Sequence, residues 1–500
     1  MTALLQRIYG TRWNPGFQSG VLAVFFLLVA LISGVALLLF YRVGDPYGSV
    51  AAMHDQPVLC WLRSLHRYSS DAAVLAVFIH FLKMLVQSRC FGSRARAWVS
   101  GLILTAVMLI VGITGLVMVW DNQAYRLALA GVKMVALLPI FSEPPERVVS
   151  DPAIMGPAFF FMLMFLHVAL PLLMAILLWF HTSRLARPIF WPERVVARFW
   201  LVLLAVISLL VPAPLNIGAD LARLPGQGRL DIWYAFWLPM AERLGPGITV
   251  LVLGAGFLGL AFYPLRRRKE DLPPPSKVDE GLCDGCTQCF QDCPYDAISM
   301  VARSTSDSRR SELVALVDPE LCVSCGICAG SCKPMGVGPQ GRTGRDQMRA
   351  MEDLFEKDPI GDGQLVVLAC AQGCGMARDF RQLPGVRMIP TACSGALHTS
   401  LIELCLRRGA VGVMVASCPT RDCANREGPK WLEQRVYHER EAELMARVDR
   451  KRVRLVAASR GESRIAARQA SEFLLELQAL QAPEPLEEEE VVCVHTPSAV

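Results

Sequence analysis

The sequence predicts a multidomain chain: an all-α transmembrane four-helix bundle with two further transmembrane helices, then a cysteine-rich soluble domain, then a small α/β domain that also carries cysteines. Three observations predict it. Long apolar runs crowd into the first 265 residues of a 500-residue chain that is 53% hydrophobic. Two of those runs each carry two histidines at one spacing. Thirteen of the seventeen cysteines fall into tight clusters in the remainder.

Thirteen residues separate His66 from His80, and thirteen separate His167 from His181. Fourteen helical steps of about 1.5 Å span about 21 Å and close nearly four turns. Each helix therefore shows two imidazoles on nearly one face, one toward either side of a bilayer. Two such helices facing each other supply four axial nitrogens, enough for two stacked bis-histidine haems. A lone histidine in an apolar helix is usually a satisfied core residue. Four of the chain's eight histidines in two matched pairs resist that reading, because polar groups in hydrocarbon are costly and tend to mark function. Gly20 and Gly34, and again Gly101 and Gly115, repeat the fourteen-residue interval. Small residues serve helix packing too, but the shared interval favours clearance for a porphyrin pressed between helices, where a position without Cβ allows close approach.

Six segments have the length and apolarity to span: 18–42, 68–90, 98–120, 157–182, 197–213 and 246–265. Arg7, Arg12, Arg89, Arg94, Arg96, Arg184, Arg187, Arg194 and Arg198 flank them on one side, joined by Arg266-Arg267-Arg268-Lys269. The positive-inside rule makes that side cytoplasmic, with both termini there, in the inner membrane of a prokaryote. The first apolar run, Val21 to Tyr41, is long enough to span and has no small-residue cleavage pattern behind it, so no cleaved signal is expected. The net charge of +5 is too mild and dispersed to argue for nucleic acid.

Ser64-Leu65-His66-Arg67-Tyr68-Ser69, Trp98-Val99-Ser100-Gly101, Ile113-Thr114-Gly115 running to Trp120-Asp121, and His167 with Pro171 resemble cytochrome b of the quinol-oxidising bc-type complexes over about 15–185. The resemblance implies that His66 and His167 hold an outer haem b, and His80 and His181 an inner one. It also implies that Arg67 lies by a haem propionate, a role that suits a guanidinium. Where the family carries Pro-Glu-Trp-Tyr at its outer quinol site, this chain reads Asp231-Ile232-Trp233-Tyr234. Asp231, Trp233 and Tyr234 are therefore the quinone-site candidates, without the family's proton-carrying glutamate.

The membrane region, 1–265, ends at a basic and proline-rich linker over 266–280 that contains Pro273-Pro274-Pro275. Over 281–345 come Cys283-x2-Cys286-x2-Cys289-x3-Cys293-Pro294 and then Cys322-x2-Cys325-x2-Cys328-x3-Cys332 with Pro334. Spacings this tight argue for thiolate ligands in a reducing compartment rather than for disulfides. They make the two-cluster ferredoxin pattern, in which the fourth cysteine of each run serves the other [4Fe–4S] cluster. One set is then Cys283, Cys286, Cys289 and Cys332, the other Cys322, Cys325, Cys328 and Cys293. A zinc knuckle is the competing reading, and two identical runs with trailing prolines speak against it. Ser304–Ser311 reads as a solvated loop.

The last domain, 360–480, alternates strands at Leu365–Ala369, Val386–Ile389, Val411–Ala416 and Val453–Ala457 with helices near 396–408, 430–447 and 463–480. Cys370, Cys374, Cys393, Cys418 and Cys423 sit at or just beyond strand ends, so five thiols are candidates for the four that a [2Fe–2S] cluster needs, with zinc as the alternative. Cys60, Cys90, Cys405 and Cys493 read as ordinary thiols. Pro390-Thr391-Ala392-Cys393-Ser394-Gly395, Leu406-Arg407-Arg408-Gly409-Ala410 and Ser417-Cys418-Pro419-x3-Cys423-Ala424-Asn425-Arg426-Glu427-Gly428 resemble the delta (iron–sulfur) subunit of methyl-viologen-reducing hydrogenase. That resemblance implies a [2Fe–2S] cluster and a flavoprotein partner of the heterodisulfide-reductase type. An acidic tail, 481–500, closes the chain.

The expected cofactors are two haem b, two [4Fe–4S] and one [2Fe–2S], with quinone as substrate. The expected function is membrane electron transfer between a cytoplasmic flavoprotein or heterodisulfide-reductase-like subunit and quinone. Reverse flow from quinol, a hydrogenase electron-transfer subunit and a redox sensor are the alternatives, and a homodimer stays open as an assembly state. No Gly-x-Gly-x-x-Gly follows a strand, so flavin or nicotinamide chemistry is expected from another subunit.

Overall fold

The computed structural model describes residues 13, 15–139, 144–151, 155–183, 187–222, 231–266, 273–304, 311–376, 380, 383–438, 440 and 442–481. Arg7, Arg12, Arg184, the Arg267-to-Lys269 cluster, most of the 304–311 loop, Cys493 and the acidic tail lie outside them. The chain forms two compact units, Met1–Cys328 with Val337–Gln340, and Ala329–Gly336 with Gly341–Val500.

In the first unit, five described helices are long and apolar enough to cross a membrane: Gln18–Leu38, Pro57–Val86, Ala95–Val119, Pro157–Ser183 and Pro246–Arg266. The second begins eleven residues before the expected span at 68, because Pro57 is preset for a first helical turn and the polar run to Ser70 continues it. His66 is thereby drawn inside the helix. The expected span at 197–213 is the helix Arg194–Leu210, with 17 residues. It stops short because Pro212 and Pro214 cannot continue it, and its rise of about 26 Å is less than the ~30 Å hydrocarbon core.

The first and second spanning helices pack along each other, as do the third and fourth. Phe165, Leu172 and Trp179 on the fourth are 60%, 63% and 63% exposed, which suits a face turned to lipid rather than water. The third helix ends at Trp120, whose φ of 54° is the left-handed turn of a C-cap. Asp121 then caps the amphipathic helix Asn122–Val135, accepting from Ala124 N at 2.9 Å, and also takes the backbone and side-chain N–H of Asn216.

The cysteine runs up to Cys328 follow in the same unit, Cys332 falling in the second, with two antiparallel ladders, β1 (Ser276–Val278) with β4 (Val337–Pro339), and β2 (Ile298–Ala302) with β3 (Leu313–Val317). At one end of the helical bundle Arg94 donates to the Tyr295 hydroxyl at 2.8 Å and Arg187 to the Gln291 carbonyl at 2.7 Å. The bundle end that carries these arginines, just beyond His80 and His181, is therefore the end that meets the first cysteine run.

The second unit holds a parallel sheet of β5 (Leu365–Cys370), β6 (Val386–Thr391), β7 (Gly412–Ser417) and β8 (Val453–Ala457), in the order β6-β5-β7-β8. β5 and β7 are buried on both faces, hence their unbroken apolar runs. Helices Gly344–Lys357, Ser400–Arg407 and Gly428–Tyr437 cover one face through Phe355, Leu404 and Leu432. Helix Ser463–Gln481 covers the other through Ala470, Phe473 and Leu477. The helix expected at 430–447 ends at Tyr437, and the one expected at 396–408 starts at Ser400. Residues 393–399 are held open by side chains, with Gln347 Nε2 donating to the Ala396 carbonyl at 2.9 Å.

Candidate metal centres

Each of the four bundle histidines meets the same local arrangement. Its Nδ1 lies by a hydroxyl: Ser33 for His66 at 3.3 Å, Ser19 for His80 at 3.5 Å, Thr114 for His167 at 3.2 Å and Ser100 for His181 at 3.0 Å. For His66 and His167 that nitrogen also donates to the carbonyls of Ala30 at 2.8 Å and Val111 at 3.0 Å. A proton held on Nδ1 leaves Nε2 as the free lone pair, the tautomer a metal ligand needs.

The residue after each hydroxyl is one of the four glycines. A Cβ on Gly34 would come within 2.8 Å of His66 Cε1, on Gly20 within 3.0 Å of His80, on Gly115 within 2.7 Å of His167 and on Gly101 within 3.2 Å of His181. The room each glycine leaves is taken by an imidazole edge, so the equal intervals of glycines and histidines are one packing fact. His66 and His167 have ring centroids 6.3 Å apart. That suits two ring nitrogens on one metal ion, with bonds of about 2 Å each. His80 and His181 are near enough to act on each other electrostatically. The hydroxyls were missed in the sequence, although the signal was there as Ser19-Gly20, Ser33-Gly34, Ser100-Gly101 and Thr114-Gly115.

Arg67 pairs with Asp71 at 3.2 Å and with Asp231, and lies 5.3 Å from the centroid of the Tyr234 ring. Two carboxylates thus meet the guanidinium that the resemblance assigns to a propionate. Asp231 Oδ1 also accepts from Trp233 N and Tyr234 N. Tyr234 is fully buried with its hydroxyl on Ser70, and a Cβ on Gly112 would overlap its ring. Trp233 packs with Val74 and Met108. Asp71 was not singled out in the sequence, where it is one more polar residue near a helix start.

The two cysteine runs repeat a single backbone conformation thirty-nine residues apart. Gly285 and Thr287 have φ of 72° and 65°, and their counterparts Ser324 and Gly326 have 56° and 80°. Asp296 and Met335 match at 48° and 58°. Such left-handed turns aim successive N–H groups inward, as anionic clusters require. Ala297 N donates to Cys293 Sγ at 3.4 Å, and Gly336 N to Cys332 Sγ at 3.2 Å. Cys293, Cys322, Cys325 and Cys328 line one concavity of about 300 Å³ with Tyr295 and Ile327. Burial pushes the Cys325 thiol well up, a cost that iron ligation removes.

In the second unit, Cys370 ends β5 and Cys418 follows β7, the two strands between which the connection order reverses. Ligand sites of open parallel sheets gather at that switch point. Cys370 Sγ lies 3.5 Å from Cys418 Sγ. Hydrogen bonds from Cys393 and then Cys418 hold the Cys370 sulfur well below the usual thiol range. Cys418 in turn bonds Cys423, and a Cβ on Gly428 would meet Cys423 Sγ at 3.3 Å and Cys393 Sγ at 3.5 Å. Four of the five candidate thiols come together. Cys374, within electrostatic reach of Cys370, belongs to the apolar cluster of Phe380, Ala458 and Ala466, and burial pushes its thiol up to about 12. Cys405 is likewise a core thiol, pushed up to about 12.

Comparison with known proteins matches three successive segments. The model for cytochrome b/b6/petB covers residues 7–187, that for a 4Fe-4S dicluster domain 282–336, and that for the methyl-viologen-reducing hydrogenase delta subunit 366–481. Cytochrome b of Dictyostelium discoideum is 28% identical over 134 residues, 26% of this chain and 33% of that protein. The chain thus spans about a third of the length of this curated relative. A solved hyperthermophilic respiratory Complex III chain aligns with 50% of this chain and 75% of its own, at 16% identity and a TM-score of 0.39. Read in order, the chain joins a helical cytochrome b-like region to a 4Fe-4S dicluster segment and an α/β unit similar to that hydrogenase delta subunit.

Proposed function

We propose that this protein is a membrane-anchored electron-transfer subunit that links a cytoplasmic flavoprotein or heterodisulfide-reductase-like partner to quinone. The groups its ligands would hold, two haem b, two [4Fe–4S] and one [2Fe–2S], carry single electrons and supply no bond chemistry of their own. His66 with His167, and His80 with His181, present Nε2 for iron. Ser19, Ser33, Ser100 and Thr114 orient the rings, and the four glycines admit them. Cys283, Cys286, Cys289 and Cys332 form one [4Fe–4S] ligand set, Cys293, Cys322, Cys325 and Cys328 the other. Cys370, Cys393, Cys418 and Cys423 are the [2Fe–2S] ligands. The observation that carries the reading is the fourfold hydroxyl–glycine–imidazole arrangement, because helix packing alone has no use for four oriented imidazoles.

Residues after 266 are assigned to the cytoplasmic side. Quinone is the substrate, and Asp231, Trp233 and Tyr234 with Arg67 and Asp71 wall its site on the His66/His167 side. Paired carboxylates there suit proton uptake from a quinol, which supports flow in the reverse direction as a second reading. Purified protein should show b-type absorbance in the reduced-minus-oxidised spectrum. His80→Ala should halve the haem per chain and leave the His66/His167 signal intact. Full haem content in that variant, or no b-type absorbance at all, sinks the assignment. Haem that is reduced by the soluble donor and never reoxidised by added quinone removes the quinone link alone.

A further inference from the structure

Within the second unit, the segment that carries Cys332 is bound to the loops that carry the sheet-edge thiols through three glycines in a row. A Cβ on Gly330 would come within 2.9 Å of the Gly395 carbonyl. A Cβ on Gly395 would run into the Cα of Gly428. A Cβ on Gly428 would meet the sulfurs of Cys423 and Cys393. Backbone therefore approaches backbone closely from Gly330 to the thiols, with the Arg435 guanidinium as the one side chain against Gly330. None of the three has a positive φ, so turn geometry does not call for glycine at these positions; close approach does.

Two side chains clamp the stack. Arg435, 1% exposed, donates from Nη2 to the Gly395 carbonyl at 2.5 Å, from Nη1 to that of Leu397 at 3.4 Å and from Nε to that of Trp431 at 2.9 Å. Its Nη1 fills the space where a Gly330 side chain would stand. His398 Nδ1 accepts from Ser400 N at 3.2 Å, which puts the ring proton on Nε2, and Nε2 donates to the Cys332 carbonyl at 3.2 Å. His398 begins five residues after Cys393, so one hydrogen bond joins the backbone of the two cysteines.

We propose that the Gly330–Gly395–Gly428 stack, clamped by Arg435 and His398, is where an electron crosses between the Cys332 ligand segment and the Cys370, Cys393, Cys418 and Cys423 thiols. This rests on the iron–sulfur ligand sets proposed above. One electron leaves a reduced iron–sulfur centre on one side and reduces the oxidised centre on the other; no bond forms or breaks and no proton moves. Arg435 is a positioning residue. Its buried cation also favours the extra negative charge of reduced centres on either side, since charge and hydrogen bonding around the sulfurs set their potentials.

The test uses the full chain in detergent with its iron–sulfur centres reconstituted. Potentials come from electron paramagnetic resonance redox titration, magnetic coupling from spin relaxation, and transfer rate from a light-driven deazaflavin donor. Gly330→Ala should keep its iron, lengthen the relaxation time of the [2Fe–2S] signal and slow transfer several-fold. Arg435→Met should lower the potentials of both neighbouring centres, and Arg435→Lys should restore them in part. Gly330→Ala with full iron, unchanged relaxation and an unchanged rate overturns the proposal. If Gly330→Ala loses its iron, Arg435→Met decides: wild-type potentials and rate overturn the proposal, lowered potentials support it. Wild-type protein that gives no [2Fe–2S] signal instead overturns the ligand assignment on which the stack depends.

Discussion

The helical bundle and the sheet edge each gather four candidate ligating atoms, the bundle as two pairs of imidazoles and the sheet edge as one group of thiols, by opposite means. In the bundle the ligands lie on regular helices, and their supporting groups recur with the ligand interval: each hydroxyl precedes a glycine, and each glycine faces a histidine. At the sheet edge the four thiols come from three different strand ends and a loop, and nothing periodic connects them. Helical repetition lets a site be inferred from intervals. Convergence of loops does not, because the distance between Cys370 and Cys418 depends on which strand lies beside which.

The sharpest test of that contrast is at the thiols. Cys418→Ser should abolish the [2Fe–2S] signal, whereas Cys374→Ala should retain it in full and cost only about 1–3 kcal/mol for the small cavity. Loss of the signal in the Cys374 variant and its survival in the Cys418 variant would exchange their roles. Protonation separates the regions next. Burial, with the nearby Arg435 cation, pushes His398 down to about 4, against about 6.5 in an unfolded chain. Between those values the unfolded state binds more protons. The second unit should therefore hold its full stability above about pH 6.5 and lose up to about 3 kcal/mol as pH falls toward 4. Denaturant melts followed at the second unit across that window check the sign, and a flat profile would contradict it.

In the bundle, Gly115→Ala puts a Cβ 2.7 Å from His167, and Gly101→Ala puts one 3.2 Å from His181. The first should destabilise by about 1–3 kcal/mol and loosen haem, the second by less. Haem retention on thermal challenge ranks them, and the opposite order would mean that the helices shift rather than the rings. The smallest effect is expected from Ser100→Ala, about 0.5–1.5 kcal/mol for one hydrogen bond, read as a small change in the potential of the His80/His181 haem. An unchanged potential would leave that hydroxyl without an electronic role.

Much of the architecture was legible from the chain. Val386 and Val453 open strands where the apolar runs begin, and Leu365–Ala369, read as a buried strand, is the strand that the structure carries one residue further, to Cys370. The capping box Thr343-x-x-Asp346 also signalled the helix Gly344–Lys357, which went unassigned because few of its residues are apolar. The start of the second spanning helix was misplaced because Arg63, Ser64, Arg67 and Ser70 look like a loop. Arg63 bonds the Ala213 carbonyl, Arg67 bonds Asp231, Ser70 bonds Tyr234, and Ser64 accepts from Ala213 N.

Spacing along the chain was enough to mark the four imidazoles, the repeated cysteine runs and the five candidate thiols, because helix pitch and tight ligand loops are local properties. Tertiary structure decided that Cys370 lies against Cys418 while Cys374 joins the apolar core, that Asp71 and Asp231 share Arg67, and that Gly330, Gly395 and Gly428 stack. Each of those depends on contact between segments distant in sequence, and such contacts are set by packing rather than by any interval a single chain displays.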